Sequence, residues 1–133
     1  MPSAEYNLIK GIINNTTQSL AISAMYGSDP SPRMLWPHVL GMSEIPDSNP
    51  PQQQEMVLCY HYGGYTPYPL ATPHRDRKNF RCLKVASLKN VQSIPFVAAP
   101  PPPPPTGQTW KPWKFKPKQV KRQNCVETVD VYR

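Results

Sequence analysis

The sequence predicts a mainly β (α+β) protein, a small five-stranded barrel with one N-terminal helix. Several short segments alternate apolar and polar residues, as half-buried strands do. Only one segment, near the N-terminus, has helical spacing of its apolar residues. Nineteen prolines and 38% apolar residues suit short strands and turns better than long helices. At 133 residues the chain has room for one domain with a small core.

The first predicted elements are the helix and a hairpin. Residues 4–14 carry one apolar stripe, preceded by Ser3 as a reasonable N-cap. Residues 20–26 alternate as a first strand, and the glycine- and proline-rich residues 27–32 predict a turn into a second strand over 33–41. Pro37 cannot donate a ladder hydrogen bond, so we expect an edge or a bulge beside His38.

Three further strands complete the predicted barrel. Residues 43–55 have little to bury and predict a loop. The later strands are expected at 56–62, 80–85 and 88–96, with a turn-rich connection between the third and the fourth.

A proline run divides the chain. Pro100 to Pro105 favour a semi-rigid polyproline II spacer. We therefore expect a barrel domain over residues 1–99, a linker over 100–109 and a basic, aromatic tail over 110–133. The alternating residues 125–132 allow a late strand within that tail.

Charge and cysteine content limit the partners and the location. Fifteen basic against eight acidic residues give a net charge of +7, which favours a polyanionic partner, although the charge can also simply confer solubility. The three cysteines are odd in number, and Cys59 and Cys82 lie in strand-like runs as small hydrophobes, so we expect a reducing cytoplasm. No apolar run is long enough for a membrane span.

Catalytic motifs are missing from the sequence. It contains neither a nucleophile elbow nor a glycine-rich phosphate loop, and its three histidines lie in unrelated contexts. Cys59, His61, His74 and Cys82 lack the paired spacing of zinc ligands, so a core thiol and a rim histidine are expected instead. We therefore predict a non-enzymatic protein with no metal and no cofactor.

Basic and aromatic residues are the candidate ligand-binding groups. Arg81 lies inside a predicted strand, where its long side chain must reach the barrel wall or a pocket. Tyr60 shares a strand face with Met56 and Leu58, and it is either a stacking platform or part of the core. In the tail, aromatic residues alternate with lysines in a pattern suited to bases and phosphates: Trp110, Lys111, Trp113, Lys114 and Lys116.

Several segments together resemble a stand-alone WYL domain. They are the N-terminal helix, the first strand, Arg33 followed by Pro37-His38-Val39-Leu40-Gly41, the strand 56–60, and 79–85 with Phe80-Arg81. The resemblance covers roughly residues 5–97. It departs from the family at the name-giving tripeptide, because Met56-Val57-Leu58 keeps only the leucine.

The resemblance implies an Sm-like or SH3-like β-barrel that binds a nucleotide-like ligand or single-stranded nucleic acid and regulates transcription or a defence effector. The ligand-binding positions that it implies are Arg33, His38, Tyr60 and Arg81, to which the sequence adds Lys84. A protein that docks on a protein partner through its polyproline run and Trp/Lys tail is the alternative. The sequence leaves open an effector protein as partner and a homodimer.

Overall fold

A computed structural model describes residues 2–15, 17–67, 80–96 and 125–133 of the chain. The described part is one helix and a six-stranded antiparallel sheet, so the mainly β prediction with one N-terminal helix is confirmed. The elements are α1 Ala4–Asn14, β1 Leu20–Tyr26, β2 Arg33–Glu44, β3 Gln53–Gly64, β4 Phe80–Lys84, a 3₁₀ helix Val85–Ser87, β5 Leu88–Pro95 and β6 Thr128–Tyr132.

The helix forms where the sequence predicts it. The Ser3 hydroxyl accepts a hydrogen bond from Tyr6 N and caps the first turn, while the apolar stripe turns Ile9 and Ile12 into the core. Ser3 in turn donates its backbone N–H and its hydroxyl to Glu55 of β3, at 2.9 and 2.6 Å. This contact fixes the start of α1 over the sheet.

The strands pair in the order β4-β3-β2-β1-β5, and β6 lies beside the second half of β2. No pairing of the described strands closes this sheet into a barrel. The sheet also has a sixth strand beyond the five predicted for the barrel, because the late strand allowed within the tail forms and joins it. The predicted loop 43–55 is shorter than expected, since β2 extends to Glu44 and β3 begins at Gln53.

β2 is the central strand, and the expected irregularity at Pro37 is confirmed. Its register with β3 shifts between Pro37 and Val39, which is a bulge at His38. The bulge reverses which face each following residue points to. Leu35 and Leu40 therefore lie on one face, while Trp36 and Val39 lie on the other.

Both faces of the sheet bury apolar residues. We call the cluster beneath α1 the helix-side core: Tyr6, Ile9, Ile12, Ile13, Ile22, Ala24, Leu35, Leu40, Val57, Cys59, Leu83, Val85 and Leu88. The opposite face carries the aromatic cluster: Ala21, Trp36, Val39, Met56, Leu58, Tyr60, Phe80, Cys125 and Val126, with Tyr62, Cys82, Ile94 and Phe96 against it.

The cysteine prediction is only half right. Cys59 is the expected buried free thiol, whereas Cys82 of β4 forms a disulfide with Cys125 just before β6. The sequence offered no signal for this pairing because the two residues are 43 positions apart. The disulfide ties β6 to the edge strand β4, and it removes the argument for a reducing compartment that rested on an unpaired Cys82.

Gly41 determines whether β6 can lie against β2. A β-carbon at this position would overlap the Thr128 carbonyl oxygen and crowd Val126 Cγ1. We expect Gly41→Ala to lower the free energy of unfolding by about 1–3 kcal/mol, as overpacked sites do. Denaturant unfolding measures this change.

Gly11→Ala is the matched control. Gly11 lies exposed inside α1 and has open space around its α-carbon, so the same added methyl group should stabilise the helix by up to about 1 kcal/mol. Equal effects of the two substitutions would contradict the close approach of β6 to Gly41.

The Cys82–Cys125 disulfide closes a long loop and should contribute measurably to stability. For a separation of 43 residues, loss of the cross-link through Cys82→Ser with Cys125→Ser should cost about 3–4 kcal/mol, because the unfolded chain gains conformational freedom. Thiol labelling in denaturant should find one reactive cysteine before reduction and all three after it. Three reactive thiols without reductant would contradict the pairing.

Candidate anion-binding site

Three basic side chains, those of Arg33, His61 and Arg81, come together at one end of the sheet, and we call them the basic group. β2 begins at Arg33, β3 ends shortly after His61 and β4 begins just before Arg81, and antiparallel pairing places these strand ends side by side. Residues directly opposite one another on paired strands point to the same face. The cross-strand partners of the three are Ala24, Leu35 and Cys59, all in the helix-side core.

Arg33 is buried and already paired with a carboxylate. Its Nε donates to Asp29 Oδ2 at 2.7 Å and its Nη2 to Oδ1 at 3.1 Å, a bidentate geometry, and its guanidinium lies 5.4 Å from the Tyr26 ring centroid. Burial alone would raise the pKa of Asp29, but the hydrogen bonds from Arg33 and from Tyr26 N lower it below its ordinary value. Arg33 therefore organises the site rather than presenting an uncompensated charge.

His61 is fully buried between the two arginines. Its Nε2 lies 3.0 Å from the Gly63 carbonyl oxygen, so this nitrogen carries the hydrogen and donates. Burial lowers the pKa of His61 to about 4, and the charges of Arg33 and Arg81 act in the same direction. The imidazole is thus neutral at physiological pH, and the expected rim histidine is instead buried in the sheet.

Arg81 is the more accessible of the two arginines. It is half-buried on β4, where its Nη1 donates to the Phe80 carbonyl oxygen at 3.3 Å. Among the described strands β4 pairs only with β3, so Arg81 lies at an edge of the sheet. Among the described residues, Arg81 is thus the most exposed of the three basic side chains.

The remaining predicted ligand-binding residues lie elsewhere. His38 and Tyr60 are fully buried on the opposite face, with ring centroids 5.6 and 5.2 Å from that of Phe80. Tyr60 is therefore part of the core, the second of the two interpretations that the sequence left open. Lys84 is exposed, but it lies on the opposite face of β4 from Arg81, because it pairs with Met56 of the aromatic cluster.

The predicted nucleic-acid-binding residues of the tail lie outside the described residues: Trp110, Lys111, Trp113, Lys114 and Lys116. The sequence interpretation also missed His61 as a member of the basic group and Asp29 as the carboxylate that pairs with Arg33. A signal for His61 was available, because it shares a strand face with Cys59, the partner of Arg81. Asp29 had none, since the predicted turn did not show where its carboxylate would point.

A groove opens at the other end of the sheet, between α1 and β6. It has a volume of about 500 Å³. On its wall, the Tyr6 hydroxyl donates to Asp130 Oδ2 at 2.7 Å, and Lys10 Nζ lies 3.2 Å from the same oxygen. These groups satisfy one another and join the helix to β6, so the groove offers less to a ligand than the basic group does.

Comparison of the chain with protein-family models, with curated proteins and with solved structures finds no match. No helix of the described residues is long and apolar enough to cross a membrane. Within the same residues, no group of three or more potential metal ligands is close enough to hold an ion. The geometry of the site is therefore the basis for a proposed function.

The lowered pKa of His61 predicts a pH-dependent stability. The unfolded chain takes up this proton near pH 6.5 and the folded chain only near pH 4, so stability should fall as the pH drops through that window, by up to about 3 kcal/mol. His61→Gln should flatten the dependence. Thermal unfolding across the window measures the first effect, and NMR titration of the imidazole measures the pKa directly.

Arg81→Ala provides an internal check on the origin of this shift. Removing one of the two neighbouring positive charges should raise the pKa of His61 towards its ordinary value. A His61 that titrates near 6.5 in the unmodified protein would contradict both its burial and its proximity to the arginines.

Proposed function

We propose that this chain is a non-enzymatic binding module for a phosphate-bearing ligand, a nucleotide or a single-stranded nucleic acid. The observation that carries the proposal is the convergence of Arg33, His61 and Arg81 from three strands on one face. In the WYL-like interpretation, such a module regulates transcription or a defence effector. An effector protein and a second copy of the chain are partners compatible with that role.

The local charge balance favours an anion. Among the described residues, the charged groups around the neutral imidazole of His61 are Arg33, Arg81 and Asp29, of which Arg33 and Asp29 form an ion pair. A phosphate can accept a bidentate pair of hydrogen bonds from a guanidinium. The net charge of +7 would also draw a polyanion to the protein.

The strand order supports the finer Sm-like or SH3-like interpretation. β1 to β4 follow one another across the sheet, and β5 returns to pair with β1, which is the cyclic order that a five-stranded barrel needs. The 3₁₀ helix turns the chain from β4 into β5, and Ser87 accepts a hydrogen bond from Gly27 N at 3.0 Å.

Three parts of the interpretation from the sequence give this proposal less support. Because His38 and Tyr60 are fully buried, they would hold the strands that present the basic group rather than stack on bases. The cytoplasmic location stays a prediction, and the Cys82–Cys125 disulfide withdraws the support that an unpaired Cys82 gave it. Docking through the polyproline run and the tail depends on residues outside the described ranges.

Arg81→Ala tests the proposal, with Lys89→Ala as the matched control. Lys89 is also cationic and is exposed on β5, at the other end of the strand order. Arg81→Ala should weaken binding of a short oligothymidylate at least about tenfold, since a charge-assisted hydrogen bond contributes about 1.5–3 kcal/mol. It should also make the plot of log affinity against log salt concentration less steep, by the amount that corresponds to about one phosphate contact.

Fluorescence anisotropy with labelled oligothymidylate gives both quantities for the two variants. Lys89→Ala should change the affinity little, and both variants should keep the melting temperature of the unmodified protein to within a few degrees. Equal losses of affinity would mean that only net charge matters, and the basic group would not be the site. In the unmodified protein, bound phosphate should raise the pKa of His61.

A further inference from the structure

The excess positive charge of the chain lies outside the described residues. Within them, six basic and seven acidic side chains give a net charge of −1, although the whole chain carries +7. Asp29 pairs with Arg33 at the start of β2. The other six carboxylates lie towards the opposite end of the sheet, on the first turn of α1, on β6, and on β2, β3 and the connection between them: Glu5, Glu44, Asp47, Glu55, Glu127 and Asp130. That end of the described structure is therefore acidic.

The groove between α1 and β6 lies at this acidic end, on the helix side of the sheet. Its volume is about 500 Å³, and it is open to solvent. Met42 and Val129 give it an apolar floor, and Val129 is 41% exposed there. The carboxylates of Glu55 and Asp130 also line it, and Lys10 is the only cation among the described residues that does so. The groove thus combines an apolar floor with an excess of negative charge.

The two carboxylates of the groove differ in their partners. Asp130 accepts a hydrogen bond from the Tyr6 hydroxyl at 2.7 Å and forms an ion pair with Lys10 at 3.2 Å. Glu55 accepts the backbone N–H and the hydroxyl of Ser3, one on each oxygen, and it forms no ion pair with any described cation. Because each carboxylate oxygen can accept more than one hydrogen bond, Glu55 can also receive a cationic donor.

We propose that this groove docks an extended segment of a protein partner by taking up one lysine or arginine side chain. Such a side chain has an apolar stem and a cationic head. The stem matches the floor of Met42 and Val129, and the charge of the head complements that of Glu55. The inference goes beyond the function proposed above, because this surface is separate from the basic group and selects the opposite charge.

The ion pair between Lys10 and Asp130 supports this choice of partner, because it already places a lysine head on a carboxylate of the groove. The open side of the groove lets a polypeptide continue over the rim in both directions from the side chain that enters. An extended segment therefore fits the shape, and its cationic side chain fits the charge.

The test is an NMR titration of the unmodified full chain with two capped pentapeptides. One has the sequence Thr-Val-Lys-Val-Thr, whose β-branched residues favour extended chain, and the other has norleucine in place of lysine. The lysine peptide should shift the amide signals of Met42 and Val129 saturably, with an affinity about two- to fivefold above that of the norleucine peptide, as for a partly exposed ion pair. Free n-butylammonium, which is the head and stem without the peptide, should bind more weakly.

Three variants assign the binding to the groove. Lys10→Met should strengthen binding of the lysine peptide about two- to fivefold, because Asp130 loses its internal cation, whereas a merely loosened fold would not bind more tightly. Glu55→Gln should weaken binding by a similar factor, while its amide can still bond to Ser3. Glu44→Gln is the matched control, since it removes the same charge at the same end from a residue that does not line the groove.

Several results would overturn the inference. They are the absence of shifts in the groove, equal affinity for the lysine and norleucine peptides, and equal losses in Glu55→Gln and Glu44→Gln, which would reflect general attraction to the acidic end. Binding of n-butylammonium as tight as that of the lysine peptide would rule out a polypeptide as the partner. None of these results involves Arg81, so the proposed function is tested separately.

Discussion

The Arg133 guanidinium joins the three parts of the fold that meet where β1 separates from β2. It donates to the carbonyl oxygens of Pro37 at 2.9 Å, Leu20 at 2.6 Å and Ile12 at 3.4 Å, which belong to the β2 bulge, the start of β1 and the last turns of α1. It also lies 4.0 Å from the Trp36 ring centroid. Burial lowers the pKa of Arg133 to about 10, so the group stays charged at neutral pH. Without it, carbonyl groups at the junction would lose their donors, at a cost of about 1–3 kcal/mol for each buried one.

The β2–β3 ladder contains two bulges, and the one at His38 lies beside that junction. It reverses the facing of β2, so that Leu40 joins the helix-side core and Val39 the aromatic cluster. The other places Tyr62 as an extra residue in β3, since Met34 pairs with Gly63 and Leu35 with His61. His61 lies on the face of Arg33 and Arg81 by ordinary alternation, because it pairs with Leu35 and is two residues from Cys59, the partner of Arg81. β2 thus pairs with β6 along its second half and carries Arg33 of the basic group at its start.

Local patterns in the sequence predict most of the fold and only part of the site. α1 and β1 have the predicted bounds, because residues 4–14 and 20–26 each follow a single period, and Pro37 marks its bulge since proline cannot donate. The Cys82–Cys125 bond and the contacts of Arg133 join residues far apart in the chain. The local spacing of apolar residues carries no information about such contacts. The resemblance identified Arg33 and Arg81 but grouped them with His38 and Tyr60, which lie on the opposite face of the sheet. Alternation along each strand separates them, because His38 is an odd number of residues from Arg33 and Tyr60 directly follows Cys59, the partner of Arg81.

The two arginines of the site have different roles because their surroundings differ. Burying an arginine without a carboxylate carries a large desolvation cost, so Arg33 is stable in the interior only with Asp29. The attraction within the pair mainly offsets that cost. Arg81 remains half-buried at the edge of the described sheet, where the desolvation cost of its charge is smaller than that of Arg33. His61 between them is kept neutral, so it adds no repulsion to the pair at physiological pH. In the proposed function, Arg33 is therefore a positioning residue that holds the β1–β2 turn through Asp29, and Arg81 is the group proposed to contact the ligand.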